Sequence, residues 1–339
     1  MIALVTGANG FLGRELVRRL LRQQVAVRCL VRPSSDVAEL HQHAGPAQRG
    51  QLEIHRGNLE RLDRCADVLD GSDVVFHLAA EMRGAPAVLF AGNVINTRRL
   101  IEQACRRQVR RFVLVSSLAV YGTGGLPRHA VIDESCPLDP EPHRRDPYTF
   151  SKVAQEQVAW DAHEQHGLPV VVIRPGVIYG PGRDCITGRV GLRLGRFLLV
   201  MNGRRQLPYT YRDNCAQALV QAGLKPGLKT GSAFNIVDDH LPTPHQLLRA
   251  CRAAGDAPWR LTLPGWAVQL LSRTCEWYHH WSEGQLPAVL TPYKSAAMWG
   301  PVAYSNAKAK AELGWQPEVD FAAGLEQTLR GARLEAVAS

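Results

Sequence analysis

A tyrosine and a lysine stand about one helical turn apart in Tyr148-Thr149-Phe150-Ser151-Lys152, and this pair could carry acid–base chemistry. Asp146 and Pro147 precede it as an N-cap and first-turn pair, so the sequence predicts a helix with Tyr148 and Lys152 on one face. A phenol with a pKa of about 10 is a poor acid or base at pH 7. Because a neighbouring ammonium favours the phenolate and lowers that pKa, the pattern predicts proton transfer by Tyr148. The same spacing also arises by chance in many helices.

Two serines, Ser116 and Ser117, follow the apolar run Phe112-Val113-Leu114-Val115. In an open parallel sheet the carboxyl ends of the strands are where ligands bind. A hydroxyl at such an end can donate a hydrogen bond to a substrate carbonyl oxygen. Taken alone, the serines could equally well only cap the end of the strand.

A glycine triplet, Gly7-Ala8-Asn9-Gly10-Phe11-Leu12-Gly13, lies between a predicted strand and a predicted helix. Gly7 permits a tight turn, Gly10 lets the backbone approach a pyrophosphate, and Gly13 allows close packing of helix against strand. The helix N-terminus then offers free N–H groups and the positive end of its dipole to phosphates. The loop therefore predicts a bound dinucleotide.

Short apolar runs alternate with helical patterns through the first half of the chain. Strands are predicted at residues 2–6, 25–31, 52–55, 73–78, 112–116 and 170–174, and helices at 11–23, 60–69, 88–108 and 148–166. Apolar strands between helices indicate a parallel sheet covered on both faces. With right-handed crossovers, this is a doubly wound, Rossmann-type α/β fold.

The pattern loosens after Pro175, and a second domain is expected there. Residues 1–175 should form the dinucleotide-binding domain, with a return to the sheet near 209–240. Residues 176–208 and 241–339 should form a smaller, mainly helical domain that binds the substrate. The Trp-rich stretch 263–281 could pack onto the core or lie on a bilayer interface, and packing into the core or a pocket is the favoured interpretation.

Composition excludes several classes of protein. The chain has 339 residues and a net charge of +9, but its basic residues are spread out, so no nucleic-acid partner is expected. Eight isolated cysteines without zinc spacing indicate reduced thiols and no metal site. No apolar run reaches the length of a membrane span. We expect a cytoplasmic enzyme acting on a small molecule.

Taken together and in order, these motifs resemble the short-chain dehydrogenase/reductase superfamily in its extended branch. The resemblance covers nearly the whole chain. Besides the segments above, it rests on residues 73–80, 93–97, 174–182 and 306–317. It implies an NAD(P)-dependent oxidoreductase in which Tyr148 is the general acid/base, Lys152 lowers its pKa and holds the nicotinamide ribose, and Ser117 polarises the reacting oxygen. Homodimers are common in this superfamily, so a dimer is also expected.

The resemblance further implies a set of cofactor contacts along the carboxyl edge of the sheet. These are Gly7, Asn9, Gly10, Phe11, Leu12, Gly13, Arg32, Asn58, Leu59, Leu78, Ala79, Ala80, Asn93, Ser116, Tyr148, Lys152, Pro175 and Val177.

The end of the second predicted strand bears on the choice of cofactor. NAD enzymes usually place an acid there to bind the ribose 2′-OH. Here Val31 takes that position and Arg32 follows, and an arginine suits a 2′-phosphate. NADP(H) is therefore favoured over NAD(H), although Asp36 could still reach the ribose. Asn58 stands where the superfamily has an Asp beside the adenine.

Three subclasses of the extended branch were compared. Dehydratases carry an Asp-Glu pair where this chain has Leu118-Ala119, so loss of water is not expected. The segment 209–218 resembles the 3β-hydroxysteroid dehydrogenase and dihydroflavonol reductase group. The motif Val120-Tyr121-Gly122 and several arginines (Arg183, Arg189, Arg193 and Arg196) would suit a nucleotide-sugar epimerase, which stays the alternative. A non-catalytic dinucleotide sensor is a third hypothesis, disfavoured because Tyr148 and Lys152 are both present.

Overall fold

Parallel strands joined by helices organise the chain, and a computed structural model describes residues 1–127, 129–255, 258–283, 285 and 290–338. The strands are β1 (Ile2–Thr6), β2 (Ala26–Val31), β3 (Leu52–Arg56), β4 (Val74–His77), β5 (Arg111–Val115), β6 (Val131–Ile132), β7 (Val170–Pro175), β8 (Val177–Tyr179), β9 (Gly191–Leu194), β10 (Phe197–Met201), β11 (Tyr209–Tyr211), β12 (Ser232–Ile236), β13 (Trp259–Leu263) and β14 (Ala303–Tyr304). The α-helices are α1 (Phe11–Arg22), α2 (Ala38–His43), α3 (Pro86–Phe90), α4 (Asn96–Arg106), α5 (Pro147–His166), α6 (Arg212–Leu224), α7 (Pro244–Ala253), α8 (Gly265–Trp281), α9 (Pro292–Trp299) and α10 (Phe321–Ala338).

The central sheet has seven parallel strands in the order β12-β7-β5-β4-β1-β2-β3. One face packs on α1 and α6 and the other on α4 and α5, so both faces are buried by apolar side chains. The predicted doubly wound fold is confirmed. Strand order reverses between β1 and β4, and a ligand cleft is expected where these two strands end.

Two predicted helices differ from the structure. Residues 59–69 form two 3₁₀ helices, Leu59–Arg64 and Ala66–Leu69, instead of one α-helix over 60–69. Asn58 caps the first of them by accepting a hydrogen bond from the Glu60 N–H, and the chain breaks helical geometry at Arg61. The helix predicted over 88–108 runs as α3, a π-helical turn (Ala91–Ile95) and α4. Such π turns occur frequently at functional sites.

The second half of the chain carries strands that the sequence analysis did not predict. β9 and β10 pair antiparallel, and β13 adds to β10 in parallel, giving a three-stranded sheet beside the predicted helices. β12 pairs with β7 in the central sheet, whereas β11 pairs with β8. Gly191 lies so close to β10 that a Cβ there would stand 2.1 Å from the Leu199 carbonyl oxygen.

Helix α8 does not pack as favoured from the sequence. Its inner side, with Val268 and Ser272 buried and Leu271 half-buried, contacts the core. Its aromatic side chains and one leucine instead face solvent: Trp266, Leu270, Trp277, Tyr278 and Trp281. Apolar spacing cannot distinguish a covered side of a helix from an uncovered one, which is why the expected core packing is wrong for these residues, although Trp266 lines a cavity. Among the described helices, none is long and apolar enough to cross a membrane.

Candidate active site

The glycine loop joins β1 to α1 at the reversal of strand order. Gly7 has φ of +71°, and a Cβ there would lie 2.7 Å from the Ala79 nitrogen, so only glycine fits between the ends of β1 and β4. A Cβ on Gly13 would lie 2.1 Å from the Gly7 carbonyl oxygen. Gly10 is the N-cap of α1 and supplies no side-chain cap, so the first N–H groups of the helix point into the loop free for an anion.

A cavity of about 630 Å³ opens at this loop. Nine of the predicted cofactor contacts line it: Gly7, Asn9, Gly10, Arg32, Asn58, Leu59, Leu78, Ala79 and Ala80. The cavity is also lined by five residues that were not predicted as cofactor contacts: Ser35, Gly57, Glu81, Gly92 and Asn96. Among the described residues, Asn9 Oδ1 and Asn96 Oδ1 are buried without a hydrogen-bond partner. Buried orphan oxygens of this kind call for a ligand or water.

Other predicted contacts lie off the wall of this cavity. Phe11 packs beneath two guanidinium groups, with Arg183 at 5.3 Å and Arg212 at 5.4 Å from its ring centre. Leu12 and Gly13 belong to the inner side of α1. Pro175 ends β7 and Val177 begins β8. The N–H of Val177 donates a hydrogen bond to the Pro208 carbonyl.

Asn93 is fully buried in the π turn, does not line the cavity, and holds neighbouring segments of the site together. It exchanges two hydrogen bonds with the main chain of Glu81 (2.7 and 2.9 Å), and its Nδ2 also donates to the Ser151 hydroxyl at 2.9 Å. Ser151 in turn donates to the Tyr148 carbonyl oxygen. Asn93 therefore fastens the cavity wall after β4 to the first turn of α5.

Tyr148 and Ser117 meet at the end of β5. As predicted, Asp146 caps α5 by accepting a hydrogen bond from the Thr149 N–H at 2.8 Å. Ser117 accepts a hydrogen bond from the Ala119 N–H at 3.1 Å, which fixes its side chain. Burial raises the pKa of Tyr148 to about 12, and a hydrogen bond from Ser117 opposes that rise. The charge of Asp146 adds to the rise, and the effect expected of Lys152 on this pKa stays a prediction.

Lys152 is buried one turn along α5. Its ammonium donates to the Val115 carbonyl at 2.8 Å and to Gln155 Oε1 at 2.6 Å. Burial lowers the pKa of Lys152 to about 8, although the charge of Glu156 opposes that change. Ser116, the residue after Val115, is buried with a hydroxyl that has no partner among the described residues.

A chain of buried hydrogen bonds connects Lys152 to the strand before the glycine loop. Gln155 Nε2 donates to Thr97 Oγ1 (2.7 Å), and Thr97 donates to the Asn93 carbonyl (2.6 Å). His77 Nε2 lies 2.8 Å from Thr97 Oγ1, and His77 Nδ1 lies 2.7 Å from Thr6 Oγ1.

The hydroxyl hydrogen of Thr97 determines the donor and the acceptor in each hydrogen bond of His77. Because the Thr97 hydroxyl hydrogen already goes to a carbonyl, its oxygen must accept from His77. His77 is therefore protonated at Nε2 and accepts from Thr6 at Nδ1. Burial, with the charge of Lys152, lowers the pKa of His77 to about 3, so the ring is neutral. No role for His77 was predicted from the sequence, although its position at the end of a predicted strand was an available signal.

An ion pair anchors the opposite side of α5. Arg174 and Glu156 are both buried, with Nη2 and Oε2 at 2.6 Å. Arg174 Nη1 also donates to the Tyr121 hydroxyl, which donates to Asn235. Tyr121 of the epimerase-like motif is therefore a buried structural side chain.

Two residues at the mouth of the dinucleotide cavity carry opposite charge. Arg32 Nη1 lies 3.6 Å from Glu81 Oε1, and the Arg32 side chain is 73% exposed. Val31 is buried at the end of β2. Asp36 accepts a hydrogen bond from the Ala38 N–H at 2.9 Å just before α2 and is not among the residues that line the cavity.

The arginines considered for a diphosphate have separate roles. Arg183 lies over Phe11 and its charge lowers the pKa of Tyr148, an effect smaller than burial and the Ser117 contact. Arg189 donates to carbonyls of α9, and Arg193 pairs with Asp184 at 3.6 Å. Arg196 is exposed in the turn before β10.

A second cavity, of about 860 Å³, is lined by α8, α9 and the segment that follows β10. Its walls include Trp266 and Gln269 of α8, Trp299 of α9 and Arg205, which is buried. Ser117, Tyr148 and Lys152 do not line it. The apolar and cationic lining could accept part of an apolar ligand with an anionic group.

Comparison with known proteins agrees with this geometry. Residues 3–236 match the model of the NAD dependent epimerase/dehydratase family. Cinnamoyl-CoA reductase 1 of Petunia hybrida is 32% identical over 183 residues, so the chain spans only about half of that relative: 53% of this chain and 55% of the reductase. A 3 beta-hydroxysteroid dehydrogenase/Delta 5→4-isomerase of Mycobacterium tuberculosis is 30% identical over 335 residues, which are 93% of this chain and 85% of that enzyme.

A solved structure shows the same fold. The UDP-glucuronic acid 4-epimerase from Bacillus cereus, in complex with NAD, superposes with a TM-score of 0.74 at 20% identity. The superposition covers 99% of both chains.

Proposed function

This chain belongs to the NAD dependent epimerase/dehydratase family, and we propose that it transfers a hydride reversibly between a nicotinamide dinucleotide and a secondary alcohol or ketone. The observation that carries the proposal is the meeting of the Tyr148 and Ser117 hydroxyls at the end of β5, with Lys152 one turn further along α5. A proton donor and a fixed hydroxyl on one reacting oxygen are what reduction of a carbonyl requires.

The residues around the glycine loop fit a dinucleotide. Gly7 and Gly13 leave room that a Cβ would fill, and the N-terminus of α1 has no side-chain cap. Asn9 and Asn96 line this space, and their unpartnered oxygens suit the amide or hydroxyl donors of such a ligand. When bound, the nicotinamide supplies or accepts the hydride.

Each catalytic side chain has a distinct task in this proposal. Ser117 donates a hydrogen bond to the substrate oxygen and Tyr148 gives that oxygen its proton in the direction of reduction. With a pKa raised by burial to about 12, Tyr148 holds its proton firmly at neutral pH until the oxygen develops negative charge. Lys152 supplies positive charge beneath the pair, since its ammonium is fixed by Val115 and Gln155.

NADP(H) is the favoured cofactor within this proposal. Arg32 follows β2 directly and projects into solvent at the mouth of the cavity, where a 2′-phosphate on the adenosine ribose would bring two negative charges. Glu81 competes for the same guanidinium and would have to release it.

An apolar substrate agrees best with the available contacts. Leu118 and Ala119 offer no carboxylate to assist loss of water, and Tyr121 is occupied inside the core. The mycobacterial relative, aligned over most of both chains, is named for a hydroxysteroid.

A substrate panel tests the proposal. Purified protein would be mixed with NADPH or NADH and either hydroxysteroid and ketosteroid pairs or UDP-sugars, and absorbance at the nicotinamide band followed. Net cofactor oxidation or reduction with the steroid-like pairs supports the proposal. Interconversion of UDP-sugars without net change in cofactor would replace it with the epimerase alternative.

A further inference from the structure

We propose that α8 and the three-stranded sheet bind membranes through an exposed aromatic face and that anionic lipid headgroups are their partner. The aromatic face comprises Trp266, Leu270, Trp277, Tyr278 and Trp281 of α8 together with Leu194, Phe197, Trp259 and Leu261 at one end of the three-stranded sheet. The inference is independent of the reaction at Tyr148.

Helix α8 is apolar on two sides. Val268, Leu271 and Cys275 pack inward against β10, β13 and α9. At about 100° per residue, Trp266, Leu270, Trp277 and Trp281 fall into one narrow stripe on the outer side that runs the length of the helix. These tryptophans are 72%, 64% and 67% exposed in chain order. A helix that is apolar all round is normally buried, in a core or in lipid.

The sheet contributes the rest of the face. Leu194, Phe197 and Trp259 are neighbours across β9, β10 and β13 and therefore point to the same side. Phe197 and Trp259 contact each other with ring centres 6.4 Å apart, and Trp259 is 73% exposed. Further along this side of the sheet, Met201 and Leu263 are covered by α8. The exposed end of the sheet thus adjoins the helix that carries the tryptophan stripe.

The size and chemistry of the face suit a bilayer interface. A buried aromatic side chain removes roughly 150–250 Å² from water, so several exposed aromatics exceed the few hundred Å² of apolar patch that monomeric proteins commonly show. Trp and Tyr concentrate at the headgroup level of membranes because each has an apolar body and a polar N–H or O–H. Trp277, Tyr278 and Trp281 form such a stacked group at the end of α8.

Charge selects lipid over a second copy of the chain. Two exposed arginines adjoin the face: Arg196 lies in the turn between β9 and β10, and Arg273 lies on the outer side of α8 beside the tryptophan stripe. Glu276 is half-buried, and Asp184 pairs with Arg193. The chain has a net charge of +9, so the arginines beside this face would repel an identical face of a second copy. Lipid phosphates instead carry the complementary negative charge.

Vesicle binding tests the proposal. Vesicles of phosphatidylcholine alone, or with one third phosphatidylglycerol, would be titrated into the full chain, with co-sedimentation and tryptophan fluorescence as readouts. We expect binding to the anionic vesicles with a blue shift, and at least a tenfold loss of partitioning in Trp266→Glu/Trp277→Glu/Trp281→Glu. Arg196→Gln/Arg273→Gln should reduce the preference for phosphatidylglycerol. Val131→Glu, at an exposed apolar residue of β6, should bind as the wild type does.

Two outcomes would overturn the proposal. One is equal vesicle binding by the wild type and the triple variant when thermal unfolding shows that both are folded. The other is a wild-type dimer, seen by sedimentation velocity without lipid, that the triple variant dissociates while neither protein binds vesicles. That second result would assign the face to self-association.

Discussion

The ammonium of Lys152 donates a hydrogen bond to the main-chain carbonyl of Val115 at 2.8 Å. This bond joins helix α5 to the end of strand β5, two residues before Ser117. The proposed catalytic side chains, Tyr148 and Lys152 on α5 and Ser117 after β5, are therefore held on two elements that a buried ammonium joins. Gln155 takes a second N–H of the same ammonium and passes the connection on to Thr97 and His77.

Burial of Lys152 predicts a pH-dependent stability. Its pKa falls from 10.5 to about 8 in the folded protein because burial disfavours the charge. Between pH 8 and 10.5 the unfolded chain then holds more protons at this site than the folded one, so stability rises with pH. The free energy of unfolding of Lys152→Met, measured by urea denaturation, should decline relative to wild type across that window. Lys229→Met, at an exposed lysine, is the matched control. If the difference in unfolding free energy between wild type and Lys152→Met stays constant from pH 8 to 10.5, the lowered pKa of Lys152 is contradicted.

Neutral His77 predicts sensitivity to acid. Its pKa is lowered from 6.5 to about 3, so the unfolded chain gains a proton below pH 6.5 that the folded protein rejects. This one group should reduce the free energy of unfolding at pH 5 by about 2 kcal/mol relative to neutral pH. His77→Gln keeps one donor and one acceptor for Thr97 and Thr6 but cannot titrate. Its stability should fall less between pH 7 and 5, and a loss equal to that of wild type would refute the assignment.

The buried ion pair of Glu156 and Arg174 should contribute strongly to stability. Glu156→Gln leaves a guanidinium in the core without its counter-charge, so we expect a loss of about 3–5 kcal/mol by denaturant unfolding. Glu318→Gln removes an exposed partner of Arg19 and should change stability by less than about 1 kcal/mol. If Glu156→Gln and Glu318→Gln lose similar free energy of unfolding, the greater burial of the Glu156–Arg174 pair does not make it more stabilising.

Arg32 and Glu81 should set cofactor preference in opposite directions. Arg32→Ala removes the proposed contact to the 2′-phosphate and should weaken NADPH binding at least tenfold while leaving NADH binding nearly unchanged. Glu81→Gln removes the carboxylate 3.6 Å from that guanidinium and should strengthen NADPH binding. Fluorescence titration of the nicotinamide measures both. An Arg32→Ala protein with unaltered affinity for NADPH would exclude Arg32 as the determinant.

Residues close together in the sequence were enough to predict the parallel fold, the glycine loop and the start of α5. The glycine loop and the Asp146–Pro147 start of α5 depend on residues close in sequence, so their geometry could be anticipated. The contact of Ser117 with Tyr148 followed only from the order of motifs along a known architecture.

Features that depend on tertiary packing could not be anticipated. His77, Thr97 and Gln155 come together from a strand and two helices, and no spacing in the sequence connects them. Residues 60–69 have helical apolar spacing, yet the cap at Asn58 and the break at Arg61 produce two 3₁₀ helices. The outer stripe of α8 has the same periodicity as a buried one, and only the packing of β10 and β13 determines which side is covered.

The most direct test of the account is the substitution Tyr148→Phe, which removes one hydroxyl and leaves the ring packed in α5. With the best substrate from the panel, kcat should fall at least a thousandfold, while the Kd for NADPH stays within about twofold of wild type. Ser117→Ala should lower kcat by a factor of about 10² or more, as for loss of a hydrogen bond made mainly in the transition state. Turnover by Tyr148→Phe at the wild-type rate, with cofactor bound normally, would contradict the assignment of Tyr148 as the proton-transfer residue.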